Sequence, residues 1–289
     1  MIGGGATFAR ALADAAGLLA ASPTETPRLD AEVLLRHLTG FDRTRLLVRL
    51  QESMPTGLDG RLHELVRRRL SGESIAYIVG AREFMGREFT VGPGVLVPRP
   101  ETEALVELAL GWLAPRPRSR AIDVGTGTGA VALSLAAGLS PARGDLVAGV
   151  ERSSDAMAYA VRNRRAMRFE TRVHLIRGDL AAAIGGPVDL LLANLPYLRP
   201  DQVRGNWALA AEPEEALVAG DDGLDLIRLL LADAPRIMAP DGAIGLEIDP
   251  GQSDALVDLV GSVFRESRVT IHPDLAGFAR ICWIEPSGA

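Results

Sequence analysis

Lysine is absent from this 289-residue chain, and all 31 basic residues are arginine. That pattern speaks of a GC-rich genome more than of a function. Positive charge is also in deficit: 37 Asp and Glu leave a net charge of −6. Surfaces that track nucleic-acid phosphates are basic, so stable nucleic-acid binding is not expected. Cysteine is almost missing. Cys282 alone excludes an intramolecular disulfide and any cysteine-based metal cluster, and its setting in "RICWI" reads as a core thiol. His37, His63, His174 and His272 show no ligand spacing, so no metal is expected. No apolar run reaches the about 20 residues of a membrane span. The start "MIGGGATFAR" lacks the basic end and apolar core of a signal peptide. The cytoplasm is the expected compartment.

What remains is a globular composition, 47% hydrophobic and 24% charged. The length suits one large domain or two unequal ones. The first 74 residues read as helices. "TFARALADAAGLLAA" has Thr7 as a cap and ends at the breaker "SPTETP". "RLDAEVLLRHLTG" puts Ala31, Leu34, Leu35 and Leu38 on one face and stops at Gly40. "GLDGRLHELVRRRLSG" repeats the pattern, and its Arg67–Arg69 run reads as a solvated face. From 75 to 98 the texture alternates around Gly80, Gly86 and "GPG", which predicts a β-hairpin connector.

Residues 99–289 alternate strand and helix. "RAIDVG", "DLVAGVE", "RVHLI", "VDLLLAN" and "GAIGLEI" are near-continuous apolar strands separated by amphipathic helices, with "SRVTIHP" and "FARICWIE" closing as two more strands. Such strands imply a parallel sheet covered on both faces. The expected fold is therefore α/β, a Rossmann-like doubly wound sheet behind a small N-terminal helical domain.

Ligands in such sheets bind at the carboxyl ends of the strands. The first strand opens into "DVGTGTGA", where Gly125, Thr126, Gly127, Thr128 and Gly129 form a tight turn that lets backbone approach a ligand. This turn fits either S-adenosylmethionine or a nicotinamide dinucleotide. The second strand ends in Glu151, an acceptor for two ribose hydroxyls and compatible with both cofactors. The third ends in "RGDL", and Asp179 followed by Leu180 suits the edge and face of adenine, which favours S-adenosylmethionine.

The fourth strand ends in "ANLPYLRP". A turn needs Asn and Pro but not the adjoining Tyr. Asn194, Leu195, Pro196 and Tyr197 resemble the Asn-Pro-Pro-Tyr motif of methyltransferases that act on planar amino or amide nitrogens. In that reading the substrate NH₂ donates to the Asn194 side-chain oxygen and the Leu195 carbonyl, and Tyr197 packs on its flat face. Leu195 departs from the motif's first proline. It keeps the carbonyl and, standing before Pro196, an extended bias.

Further segments carry a more selective resemblance. "GAREFMGREFTVGPGVLVPRPETE" (Gly80–Glu103), "AEPEEALVAGDDGLD" (Ala211–Asp225) and "HPDLAGFAR" (His272–Arg280) stand with the two motifs above. Together they resemble the peptide chain release factor glutamine methyltransferases, the HemK/PrmC family, over nearly the whole chain. The resemblance implies a class I S-adenosylmethionine-dependent methyltransferase. Its methyl acceptor is the side-chain amide nitrogen, N5, of the Gly-Gly-Gln glutamine in class 1 translation release factors. It also implies that Gly125 to Gly129, Glu151, Asp179, Leu180 and Asn194 hold the cofactor and that "PRPETE" covers it. Asn194 to Tyr197 would then hold the glutamine, and residues 1–74 would dock the release factor. A monomer is expected. The runner-up is an N6-adenine or rRNA methyltransferase, which needs a basic, aromatic surface for a flipped base. The charge of −6 and 4% aromatics argue against it.

Overall fold

The computed structural model describes residues 6–286. The chain forms two compact units. One runs to Ala81 and takes in Gly205–Ala211; the other spans Arg82–Arg204 and resumes at Glu212.

The first unit is helical. Helix α1 (Phe8–Leu19) starts where the Thr7 hydroxyl accepts from Arg10 N–H. Helix α2 (Pro27–Thr39) has Pro at its first position and stops at Gly40, φ +66°. Helix α3 (Arg43–Val48), capped by Asp42, was not legible, because six residues give no apolar period to read. Helix α4 (Leu58–Leu70) follows. Phe8, Leu12, Leu34, Leu35, Leu62 and Val66 meet in one core. The Arg67–Arg69 run is not simply solvated. Arg69 Nε donates to Asp30 Oδ2 at 2.9 Å, and its guanidinium lies 4.1 Å from the Trp207 ring centroid. Arg68 pairs with Glu73, and Arg67 alone of the three is exposed.

The predicted connector is narrower than 75–98. Ile75–Val79 is a helix, α5, despite its strand-like residues. The Ser74 hydroxyl accepts from Tyr77 N–H at one end and left-handed Gly80 closes the other, so capping overrides local β preference. The hairpin itself is β1 (Ala81–Phe84) and β2 (Arg87–Thr90), turning at Met85 and Gly86, both at positive φ.

The second unit continues as α6 (Glu103–Leu113), β3 (Arg120–Val124), α7 (Ala130–Gly138), β4 (Leu146–Glu151), α8 (Ser154–Ala166), β5 (Val173–Arg177) and β6 (Val188–Ala193). Then come α9 (Pro200–Val203), α10 (Asp225–Ile237), β7 (Met238–Glu247), α11 (Ser253–Val263), β8 (Ser267–Pro273) and β9 (Ala279–Pro286). The strand order is β5-β4-β3-β6-β7-β9-β8. The first five strands are parallel, while β9 runs antiparallel to both β7 and β8. The sheet is thus mixed rather than wholly parallel. The 273–279 connection is short enough for a hairpin, and no helical crossover separates its strands.

Alternate residues of each strand face opposite layers. Ile122, Val124, Val150, Leu191 and Ile244 pack with Leu230, Leu231 and Leu256 on α10 and α11. Ala121, Val147, Leu190 and Leu192 pack with Leu105, Val106, Leu133 and Leu135 on α6 and α7. From β3 the chain builds outward through β4 and β5, then returns to add β6 on the other side. The β3/β6 junction is the switch point where such sheets receive ligands.

Candidate active site

The β3 loop is shaped by its own hydrogen bonds. Gly125 and Thr126 N–H both donate to Val150 carbonyl, at 2.9 and 3.0 Å, and Gly129 N–H donates to Thr126 carbonyl at 2.7 Å. Glu151, buried at the end of β4, accepts from Gly127 N–H at 2.9 Å through one oxygen and from Ser153 N–H at 2.7 Å through the other. Each carboxylate oxygen keeps a lone pair for a further donor.

These elements enclose a cavity. Its wall includes Gly94, Val95, Leu96, Gly125, Gly127, Val150, Glu151, Gly178, Asp179, Leu180, Asn194, Leu195 and Pro196. Eight of the twelve residues expected at the site therefore lie on one cavity, delivered by the ends of β3, β4, β5 and β6. The other four are not part of its wall. The Thr126 hydroxyl donates to Asp123 Oδ2 at 2.5 Å, and Thr128 is buried. Gly129 opens α7, packed against Leu133 and Ala160. Tyr197 turns its hydroxyl to Glu247. The Thr side chains of "GTGTG" are thus structural, because a tight turn alternates the direction of successive residues. Leu96 and its neighbours, rather than "PRPETE", form the covering wall.

Asp123 sits on the α7 face of β3 and accepts from Thr126 and from Ala132 N–H at 3.2 Å. Burial pushes its carboxyl up to about 7, against the pull of those two donors.

Behind Asn194 lies a polar chain. Asn194 Nδ2 donates to Thr102 Oγ1 at 2.9 Å, and the Thr102 hydroxyl donates to Glu247 Oε2 at 2.6 Å. The Tyr197 hydroxyl donates to Glu247 Oε1 at 3.0 Å. Thr102 and Glu247 are 3% and 1% exposed, so water does not compete for these bonds. Burial raises the Glu247 pKa, while both donors and nearby Arg280 oppose the rise. Burial, then the Glu247 charge, raise that of Tyr197.

Four residues of this support escaped the sequence reading. Glu247 had a signal: an acid closing the apolar strand "GAIGLE" is costly to bury unless it is used. Glu212 accepts from Val97 N–H at 3.0 Å and pairs with Arg99, fixing the wall segment. Asn163 joins Thr90 to the Thr128 carbonyl, and Gln252 Nε2 donates to the Tyr197 carbonyl at 2.9 Å. Glu212 lies in the quoted segment Ala211–Asp225, but nothing in the sequence assigned it this role, and nothing pointed to Asn163 or Gln252.

A wider hollow of about 930 Å³ runs along α6 and the β8–β9 hairpin. No strand-end residue discussed above lines it. Three of its carboxylates are engaged, Glu103 with Met85 N–H, Asp274 with Arg280, and Glu285 with Arg268.

The lining of this cavity suits S-adenosylmethionine in its chemistry, although the cavity measures only about 90 Å³ and its wall must give way to admit the whole cofactor. Glycine backbone at 125 and 127 leaves room, Glu151 and Asp179 offer acceptors, and Val150, Leu180 and Leu195 supply apolar surface. Among the described residues no helix is long and apolar enough to cross a membrane.

Comparison with known proteins agrees. Residues 10–80 match the PrmC N-terminal domain, and residues 102–224 the Methyltransferase small domain. The ribosomal protein L11 methylase of Lactobacillus delbrueckii subsp. bulgaricus shares the fold at TM-score 0.50 and 19% identity, over 68% of this chain and 84% of its own. The Release factor glutamine methyltransferase of Burkholderia pseudomallei is 40% identical over 93% of this chain and 94% of its own length. That of Moorella thermoacetica is 40% identical over 94% and 95%. With both chains matched almost end to end, this protein belongs to the release factor glutamine methyltransferase family.

Proposed function

We propose that the chain transfers a methyl group from S-adenosylmethionine to N5 of the glutamine in the Gly-Gly-Gln motif of class 1 release factors. One observation carries the site assignment. Asn194 lines the cavity, and its Nδ2 is committed to Thr102, so Oδ1 is the end of the amide free to accept from a substrate NH₂.

An amide nitrogen is a weak nucleophile because its lone pair is delocalised into the carbonyl. Accepting its two hydrogens at Asn194 Oδ1 and at the Leu195 carbonyl draws density onto nitrogen and stabilises the charge that develops there, until the methylated nitrogen releases one of these protons to water as the products leave. The same two bonds fix its direction of approach. Tyr197, held by Glu247 and off the cavity wall, braces the Asn194–Pro196 stretch rather than packing on the amide plane. Glu151 would hold the ribose of the cofactor, and Asp179 with Leu180 its adenine. The bound cofactor supplies an electrophilic methyl on sulfonium. Val95, Leu96 and Leu195 exclude water from the junction.

The helical unit that ends near residue 80 docks the release factor, the β1–β2 hairpin follows it, and the sheet-bearing unit carries the methyl transfer. The match of residues 10–80 to the PrmC N-terminal domain supports this division. The enzyme works in the cytoplasm, where its substrate acts, as a monomer, and its charge of −6 disfavours stable nucleic-acid binding.

The test is radiolabelled S-adenosylmethionine offered with release factor, with its Gly-Gly-Gln glutamine variant, and with rRNA. Label on the first alone is expected. Label on rRNA, or undiminished label on the glutamine variant, overturns the reading.

A further inference from the structure

We propose that Glu247 is a positioning residue for methyl transfer, acting through the Thr102 hydroxyl to fix which end of the Asn194 amide faces the cavity. The proposal rests on the reading that Asn194 Oδ1 receives the glutamine NH₂.

The argument is one of proton count. An asparagine amide has nearly the same shape when turned by 180°, so shape alone does not select oxygen or nitrogen for a given side. Hydrogen-bond partners must select it. A threonine hydroxyl has one proton to give, and the Glu247 carboxylate, with each oxygen already taking a hydroxyl from Thr102 or Tyr197 and Arg280 nearby, acts as acceptor. Thr102 therefore gives its proton to Glu247 Oε2 at 2.6 Å and can only accept from Asn194 at 2.9 Å. On the asparagine amide only Nδ2 can donate. The polarity runs from Glu247 through Thr102 to Asn194, and Oδ1 is left for the substrate. In the reversed arrangement Nδ2 would confront the substrate NH₂, donor against donor, and an acceptor would be lost.

Placement supports the role. Thr102 stands just before α6, Glu247 ends β7, and Asn194 follows β6, so three separate elements converge. The second carboxylate oxygen takes the Tyr197 hydroxyl at 3.0 Å. One buried carboxylate thus holds both ends of the Asn194–Tyr197 stretch. A purely structural carboxylate needs no such directional relay. The charged groups acting on Glu247 are Arg280 and Glu101, with Tyr197 and Thr102 in direct contact.

The test uses the full-length enzyme at saturating S-adenosylmethionine and release factor, with Thr102→Val, Thr102→Ser, Glu247→Gln and Asn194→Ala in parallel. Thr102→Val keeps the shape and removes the hydroxyl, so kcat falls roughly 10- to 100-fold while KM for release factor stays within about three-fold. Thr102→Ser restores the relay and recovers kcat to within about three-fold of wild type. Glu247→Gln offers Thr102 a donor, permits the reversed amide, and loses at least about ten-fold in kcat. Thr102→Val at the wild-type rate overturns the proposal, as does a Thr102→Ser variant as slow as Thr102→Val. If Asn194→Ala is inactive while Thr102→Val is fully active, only the relay fails. If Asn194→Ala is itself fully active, the underlying reading fails and the relay with it. Should Glu247→Gln not fold, the Val and Ser pair at 102 decides.

Discussion

Leu195 Cδ2 stands 2.9 Å from the point a Cβ on Gly125 would occupy. The loops after β3 and β6 are therefore packed to the limit of contact, and Gly125 also sits at φ +74°. Gly125→Ala meets both constraints. It should destabilise the fold by about 1–3 kcal/mol. In a double-mutant cycle with Leu195→Ala the steric part disappears and the backbone part, about 1 kcal/mol, stays. Urea unfolding of the four proteins measures this. Simple additivity would show that the two loops do not press on each other.

Leu195 is 4% exposed and belongs to the core beneath α10. Leu195→Pro restores the first proline of the Asn-Pro-Pro-Tyr motif that this stretch resembles and keeps the carbonyl proposed to hold the substrate. The kcat should remain within about three-fold of wild type, because a residue before Pro196 is biased to extended backbone, which proline tolerates. Stability should fall by about 1–2 kcal/mol as apolar packing is lost. A rate collapse with unchanged stability would assign Leu195 a role beyond its carbonyl.

Glu151 accepts from Gly127 and Ser153, so it shapes the glycine turn as well as offering acceptors to a ribose. Glu151→Ala should weaken S-adenosylhomocysteine binding by about 1–3 kcal/mol, read by calorimetry. Unchanged affinity would place the ribose elsewhere.

The β strands were readable because parallel strands buried on both faces are continuous apolar runs. Such a sheet brings their carboxyl ends to one edge, so Gly125, Glu151, Asp179 and Asn194 could be grouped from sequence. Thr102 and Glu247 could not be joined in the same way. They lie 92 residues from Asn194 and 145 residues from Thr102, respectively, and only the folded packing of α6 against β6 and β7 brings them into reach. Helix α5 was misread because its residues favour strands while its caps lie one residue outside the stretch. The inward turn of Thr126 and Thr128 followed from loop geometry that a glycine pattern does not specify.

Asp123 makes stability depend on pH in the direction opposite to most acids. Its folded pKa of about 7 lies above the unfolded 3.8, so the folded state holds the proton more tightly. Its contribution is full below about pH 4 and is lost as pH rises through about 7, on the order of 4 kcal/mol in all. Asp123→Asn keeps an acceptor and removes the titration. Relative to wild type, the variant should gain stability between pH 5 and pH 7.5 in urea unfolding. A constant difference would mean Asp123 is ionised in the folded protein throughout that range.

The central claim is that Asn194 acts by orienting and polarising the substrate amide. Single-turnover methyl transfer by Asn194→Ala, with S-adenosylmethionine and release factor both saturating, tests it most directly. The account predicts a rate reduced by roughly 10²–10³ with cofactor affinity within a few-fold of wild type. Methyl transfer at the wild-type rate would contradict it.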